Sequence, residues 1–178
     1  KIIRYFQHNP KATSYSLGIN DYTIFDQSSQ SLARRNGKRN YLGVEDVSSD
    51  YFKWVNKVAQ KVSGVFPDKK FGLLAYNNVA EPPLEKINPN VIPYLTYERL
   101  RWSDTALEDR GHQLSERWTK LCPSVGWYDY TYGYIYQIPR VWFHEMQKYL
   151  IWGADHHVKY YFAELYHNWG EGPKAWIK

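Results

Sequence analysis

Five short apolar and aromatic runs punctuate the chain, each closed by polar residues: SYSLGIND (14–21), KFGLLAYNN (70–78), NVIPYLTYE (90–98), SVGWYDY (124–130) and VKYYFAELY (158–166). Bounded runs of this length are what strands buried in a parallel sheet require. Between them the period changes. Over 50–66, Phe52, Val55, Val58, Ala59, Val62 and Phe66 recur at three- and four-residue steps, behind the capping candidates Ser48 and Ser49 and ahead of Pro67. That spacing predicts an amphipathic helix with a marked start and stop. A second helix is predicted over 104–121, with Leu107, Leu114, Trp118 and Leu121 on one side, Gly111 weakening its middle and Pro123 beyond its end. A third, over 138–152, has Pro139 in its first turn, Val141, Trp142, Met146, Tyr149 and Leu150 at helical spacing, and Gly153 as its terminator.

Strands alternating with helices imply right-handed β-α-β units and a parallel sheet, hence an α/β fold. Five strands and three helices amount to about the later half of a (β/α)8 TIM-type barrel. The expectation is that residues 1–178 form the C-terminal part of one such barrel domain, a fragment of a larger protein. Two connections depart from regularity. The segment 79–89, VAEPPLEKINP, holds three prolines and is too short for a crossover helix, so it is expected to be irregular. The polar stretch 26–47 is expected to be a long loop, functional or mobile.

Composition sharpens this picture in one respect. Aromatic residues make up 18%, with 17 Tyr and 8 Trp, an excess that favours ligand stacking or a heavily packed core. The net charge of +5 is spread over pairs such as Arg34-Arg35, Lys38-Arg39 and Lys69-Lys70 among acids, which reads as solvated faces and no nucleic-acid partner. Cys122 is the single cysteine, so neither an internal disulfide nor a cysteine-based zinc site is available. No apolar run reaches the ~20 residues needed to cross a bilayer. His156 and His157 follow Asp155, but adjacent residues in a strand face opposite ways, so no shared metal is expected, nor any cofactor.

In parallel barrels the active site is built at the carboxyl ends of the strands. The polar residues closing the runs are Asn20 and Asp21, Tyr76 and Asn77, Tyr97 and Glu98, Asp129 and Tyr130, then Glu164 and Tyr166. Several carboxylates in an aromatic cleft suit glycoside hydrolysis, in which one acid protonates the leaving oxygen while a second group attacks, activates water or steers the substrate. Tyr76, Tyr97, Trp127, Tyr130, Tyr132 and Trp169 are the candidates for stacking on sugar rings, with Asn77 and Glu98 as polar ligands. Each carries a plainer alternative. Asp21 could cap a turn, Asp129 could partner a buried tyrosine or arginine, Glu98 could pair with Arg99 or Arg101, and most tryptophans could be core.

The blocks SLGINDYTIFD, YFKWVNKVAQKVSGVFPDKKFGLLAYNNVAEPP, NVIPYLTYERLRW and YYFAELYHNWGEGPKAWI resemble a bacterial family of glycoside-hydrolase-like barrel proteins long catalogued as a domain of unknown function. Some members of that family are endo-β-N-acetylglucosaminidases acting on complex N-glycans. The resemblance spans Ser14 to Ile177, and in barrels of this kind, as in the hexosaminidases and α-glucuronidases they distantly resemble, the acid follows the fourth strand. It implies Asp21 as general acid/base and Asn20 as the residue orienting the substrate's 2-acetamido group, with an oligosaccharide or glycoprotein glycan as partner and a secreted, periplasmic or cell-surface location. The rival mechanism it leaves open is an inverting, α-glucuronidase-like hydrolysis in which Asp129 and Glu164 act as paired carboxylates. A barrel that binds carbohydrate without cleaving it is the third reading. Where family members often carry a cysteine-rich loop, this chain has DQSSQS (26–31).

Overall fold

The computed structural model describes residues 1–21, 24–130 and 143–164, the side chain of Leu100 excepted. All five predicted runs contribute strands: β1 Ser14–Ser16, β2 Lys70–Ala75, β3 Val91–Thr96, β4 Val125–Tyr130 and β5 Val158–Glu164. They form one sheet in the order β1-β2-β3-β4-β5, and every neighbouring pair is parallel. The sequential order means that each crossover steps to the adjacent strand without reversal. The α/β class and the parallel strands are therefore as the sequence predicts.

The register sorts side chains between two faces. Phe71 pairs with Val91, Ala75 with Leu95, and Leu95 with Trp127, and all of these are buried. Helices reach this face from several directions. Phe6 of α1 (Ile2–His8) packs edge-on against Phe71, Trp127 donates its indole N–H to Ser115 Oγ of α4 (Thr105–Thr119) at 3.2 Å, and Phe52 of α3 (Ser48–Ser63) meets Trp118 of α4. The opposite face carries Gly72, Leu74, Tyr94, Tyr128 and Phe162, which line an open concavity of about 550 Å³.

Several local expectations change. The 26–47 stretch is not a structureless loop. Ser28 caps α2 (Ser29–Arg35) by accepting from the Ser31 N–H, and Asn36 closes it in the left-handed region at φ 48°. Asp26 accepts hydrogen bonds from Ser31 and from the Ser28 hydroxyl and N–H, which hold its carboxyl down at about 2. The remainder docks on the turn after β2: Asn40 donates to the Asn77 carbonyl at 2.6 Å, and the Tyr41 N–H donates to Glu81 at 3.1 Å. The 79–89 connection is irregular, as expected: it forms no crossover helix, and the 3-10 turn Asn77–Val79 only leads into it. In α3 neither Ser48 nor Ser49 caps the helix; Asp46 receives the Ser48 N–H at 3.0 Å instead. Burial alone would raise the Asp46 carboxyl, but hydrogen bonds from Lys38 and Ser48 outweigh it and hold the group below its ordinary range.

Two glycines that read as weak points are packing devices. Gly153 lies within α5 (Phe143–Asp155) and does not terminate it; an added Cβ would sit 2.8 Å from the Trp127 ring. Gly111 in α4 faces Trp102, whose ring would lie 2.2 Å from a Cβ. Residues 138–142 of the predicted third helix lie outside the described residues. Gly111→Ala is expected to destabilise the fold by ~1–3 kcal/mol, since overpacking against a buried indole outweighs alanine's helix propensity of about 1 kcal/mol. Urea unfolding checks this; a stabilised variant would mean that Trp102 yields freely.

His112, Trp152 and His156 stack in succession, with centroids 3.7 and 3.9 Å apart. His156 thus lies in the turn after α5, engaged with the Trp152 ring and carbonyl, and is not in a strand. Burial pushes the His112 imidazole below its ordinary value, although Glu108 and Asp109 oppose the shift, and its Nε2 has no hydrogen-bond partner among the described residues. A histidine with a lowered folded pKa favours unfolding when protonated. Its penalty is absent above the unfolded value of about 6.5 and grows as pH falls below that, saturating at the lowered folded pKa. Unfolding free energy is expected to decline through this group as pH falls below about 6.5, and the decline should shrink in His112→Phe, which keeps a ring against Trp152. An unchanged slope would assign it elsewhere.

Candidate functional site

A cavity of about 620 Å³ opens at the carboxyl ends of three adjacent strands. Tyr76 follows β2, Thr96 ends β3 and is followed by Tyr97 and Glu98, and Tyr130 ends β4; α4 and the Tyr41-Leu42 turn complete the wall. The Tyr41 and Tyr97 rings tilt together at 6.3 Å, and Tyr97 also meets Trp102 at 6.1 Å. Burial pushes the Tyr97 phenol up, while Arg101, Arg110 and Arg99 pull it the other way. The site is therefore an aromatic pocket in a positive field.

Register places Tyr130 beside Glu164 at the top of β4 and β5, and the Tyr128 hydroxyl donates to Glu164 Oε1. Tyr128 stacks on Phe162 at 5.0 Å, on the same face of the sheet. Asn20 lines the concavity on that face, and Asp21 follows it, exposed, beyond the end of β1. Asn20, Tyr128 and Glu164 thus belong to the open face, whereas Tyr76, Tyr97, Glu98 and Tyr130 gather in the strand-end cavity.

Asp129 and Trp127 fall on the other side. Strand alternation turns both toward the helices, and both are fully buried. Asp129 accepts from the Arg99 N–H at 3.1 Å, the Tyr130 N–H at 3.0 Å and the Tyr161 hydroxyl at 3.2 Å. Its carboxylate lies 4.0 Å from the buried Arg99 guanidinium, which stacks 4.1 Å over the Trp127 ring and donates to the carbonyls of Leu95, Tyr97 and Tyr128. Asp129 is thereby the counter-charge of a buried arginine and Trp127 is core; neither faces the cleft. Arg99 is engaged in this way and not by Glu98, which lines the cavity. Asn77 holds a left-handed turn at φ 51° and offers its carbonyl to Asn40. Tyr132, Tyr166 and Trp169 lie outside the described residues.

Sequence reasoning passed over Tyr41, Arg110 and Arg117 and gave Arg101 only as a partner for Glu98; all four line the cavity. The signal was present for two of them: Arg110 and Arg117 stand seven residues apart in α4, the same spacing as Leu107 and Leu114, so they share a helix face. Tyr41 offered none, since its position depends on how the turn docks.

A family model described as a domain of unknown function, DUF4838, matches residues 1–178. The chain belongs to this family. No curated protein and no solved structure matches it. Membership of DUF4838 carries no activity with it, so the chemistry rests on the residues. Among the described residues no group of histidine, cysteine, aspartate and glutamate could hold a metal ion, and no helix is long and apolar enough to cross a membrane.

Proposed function

We propose that this DUF4838 chain is part of a (β/α)8-type glycoside hydrolase that cleaves complex glycans at 2-acetamido sugars by substrate assistance. The observation that carries this reading is the cavity at the strand ends, which Tyr76, Tyr97, Tyr130 and Glu98 line together. Flat aromatic faces beside a carboxylate suit a ligand with apolar C–H faces and many hydroxyls. The sequential parallel sheet favours the barrel, since each strand adds beside the last.

In this mechanism the 2-acetamido oxygen attacks the anomeric carbon as the glycosidic C–O bond breaks. Asp21 gives its proton to the departing oxygen, and Asn20 orients the amide. Water then attacks the anomeric carbon of the oxazolinium ion as its bond to the amide oxygen breaks and the acetamido group re-forms; the water's proton goes to Asp21, and the configuration is retained. Glu164, held by Tyr128, binds sugar hydroxyls. The burial of Asp129 against Arg99 favours this route over an inverting pair of Asp129 and Glu164, because a carboxylate on the helix side of β4 reaches neither substrate nor water.

The test is incubation of the full-length protein with a panel of N-glycans, chitin oligosaccharides and aryl glycosides. Release of a reducing 2-acetamido sugar supports the reading. Binding without product would favour a carbohydrate-binding barrel, and neither binding nor product would overturn both.

A further inference from the structure

The strand-end cavity is cationic on one side. Among the described residues, Arg101, Arg110 and Arg117 line it beside one acidic side chain, Glu98. Arg117 is already paired with Glu81 at 3.0 Å. Neither Arg101 nor Arg110 forms an ion pair among the described residues, although both are exposed and within a wall made chiefly of tyrosine and leucine. Arg101 closes the 3-10 turn Arg99–Arg101 directly after Glu98, and Arg110 projects from the second turn of α4. Leu107 and Leu114 flank Arg110 along the same stripe, so the guanidinium stands at an apolar border, where a charge is less screened than on open surface.

A glycan-binding cleft for neutral sugars needs hydroxyl acceptors and donors, and two guanidinium groups with no ion pair among the described residues add nothing to that. They suit a planar or tetrahedral anion held by paired N–H donors. Building on the glycoside-hydrolase reading, we infer that this cavity selects a glycan bearing an anionic substituent, a carboxylate or a sulfate, and that Arg101 and Arg110 hold that group while Tyr97 and Tyr130 face the ring.

The experiment is calorimetry with three thio-linked, non-hydrolysable tetrasaccharides: neutral N-acetylglucosamine units, alternating N-acetylglucosamine and glucuronic acid, and N-acetylglucosamine units carrying 6-sulfates. The expected result is an affinity for one charged ligand roughly tenfold above the neutral one, as a charge-assisted hydrogen bond provides, falling as salt rises. The carboxylate and sulfate arms decide between the two anions. In the double variant R101Q/R110Q the preference should vanish while neutral binding persists, and both side chains are exposed, so the thermal midpoint should hold. Equal affinity for neutral and charged ligands overturns this inference and leaves the hydrolase reading standing. A preference that survives in the double variant overturns the assignment to these arginines, and no binding of any saccharide overturns both.

Discussion

Asp129→Ala is expected to lower the unfolding free energy by roughly 3–5 kcal/mol, the usual cost of stripping the counter-charge from a buried ion. The physical reason lies in what would remain. Arg99 is fully enclosed, and burial already pushes its guanidinium down, with Asp129 the first group opposing that shift. The carboxylate also receives two backbone N–H groups and the Tyr161 hydroxyl, each of which would lose its acceptor in a dry site. For a chain of 178 residues the loss corresponds to a fall in thermal midpoint on the order of 10 °C. Asp129→Asn should fall between, because it preserves acceptors while removing the charge. The consequence extends to the site, since the Arg99 guanidinium ties together the carbonyls of Leu95, Tyr97 and Tyr128 at the ends of β3 and β4. Chemical denaturation measures the effect; a change below about 1 kcal/mol would show that the pair is not a stability element.

Asp21→Asn in the full-length protein is expected to reduce turnover by ~10²–10⁴-fold with little change in KM, because asparagine cannot deliver the proton that the leaving oxygen requires. Glu164→Gln should instead raise KM, since its proposed role is to bind hydroxyls in ground and transition states alike. Asp21 is exposed beyond β1, so its replacement should leave stability within about 0.5 kcal/mol, which separates a catalytic loss from a folding defect. Steady-state kinetics on the best substrate of the panel provide the comparison. Full activity in Asp21→Asn would remove it from the mechanism. A substrate with a trifluoroacetamido group adds an independent readout: the weakened amide oxygen should slow turnover steeply, and an unchanged rate would exclude participation of the acetamide.

The elements that were legible in the sequence are those whose signal is local. The runs at 70–78, 90–98 and 124–130 became β2, β3 and β4 because their apolar residues alternate with chain punctuation, and α3 followed from a stripe at three- and four-residue steps. Short elements escaped: α1 buries only Phe6, and α2 is seven residues of polar sequence held by Ser28 and Asn36, too short to show a period. At the site, Tyr76, Tyr97, Glu98 and Tyr130 were legible as strand-end residues and do meet in one cavity. For Trp127 and Asp129 the sequence left two readings open, cleft residue or buried core partner, because a strand end names position along the sheet and not the side of it; the structure takes the second.

The sequence by itself determined the order of the five strands and the three longer helices, the parallel sheet that such alternation requires, and the polar rim at the carboxyl ends. Only the tertiary structure decided which of those polar residues face the cleft. It turned Asp129 inward to neutralise Arg99, made Gly111 and Gly153 seats for Trp102 and Trp127, and brought Tyr41, Arg101 and Arg110 from separate segments to one wall. Those outcomes depend on register and on the docking of distant segments, where each side chain's neighbour lies tens of residues away and no local pattern records it.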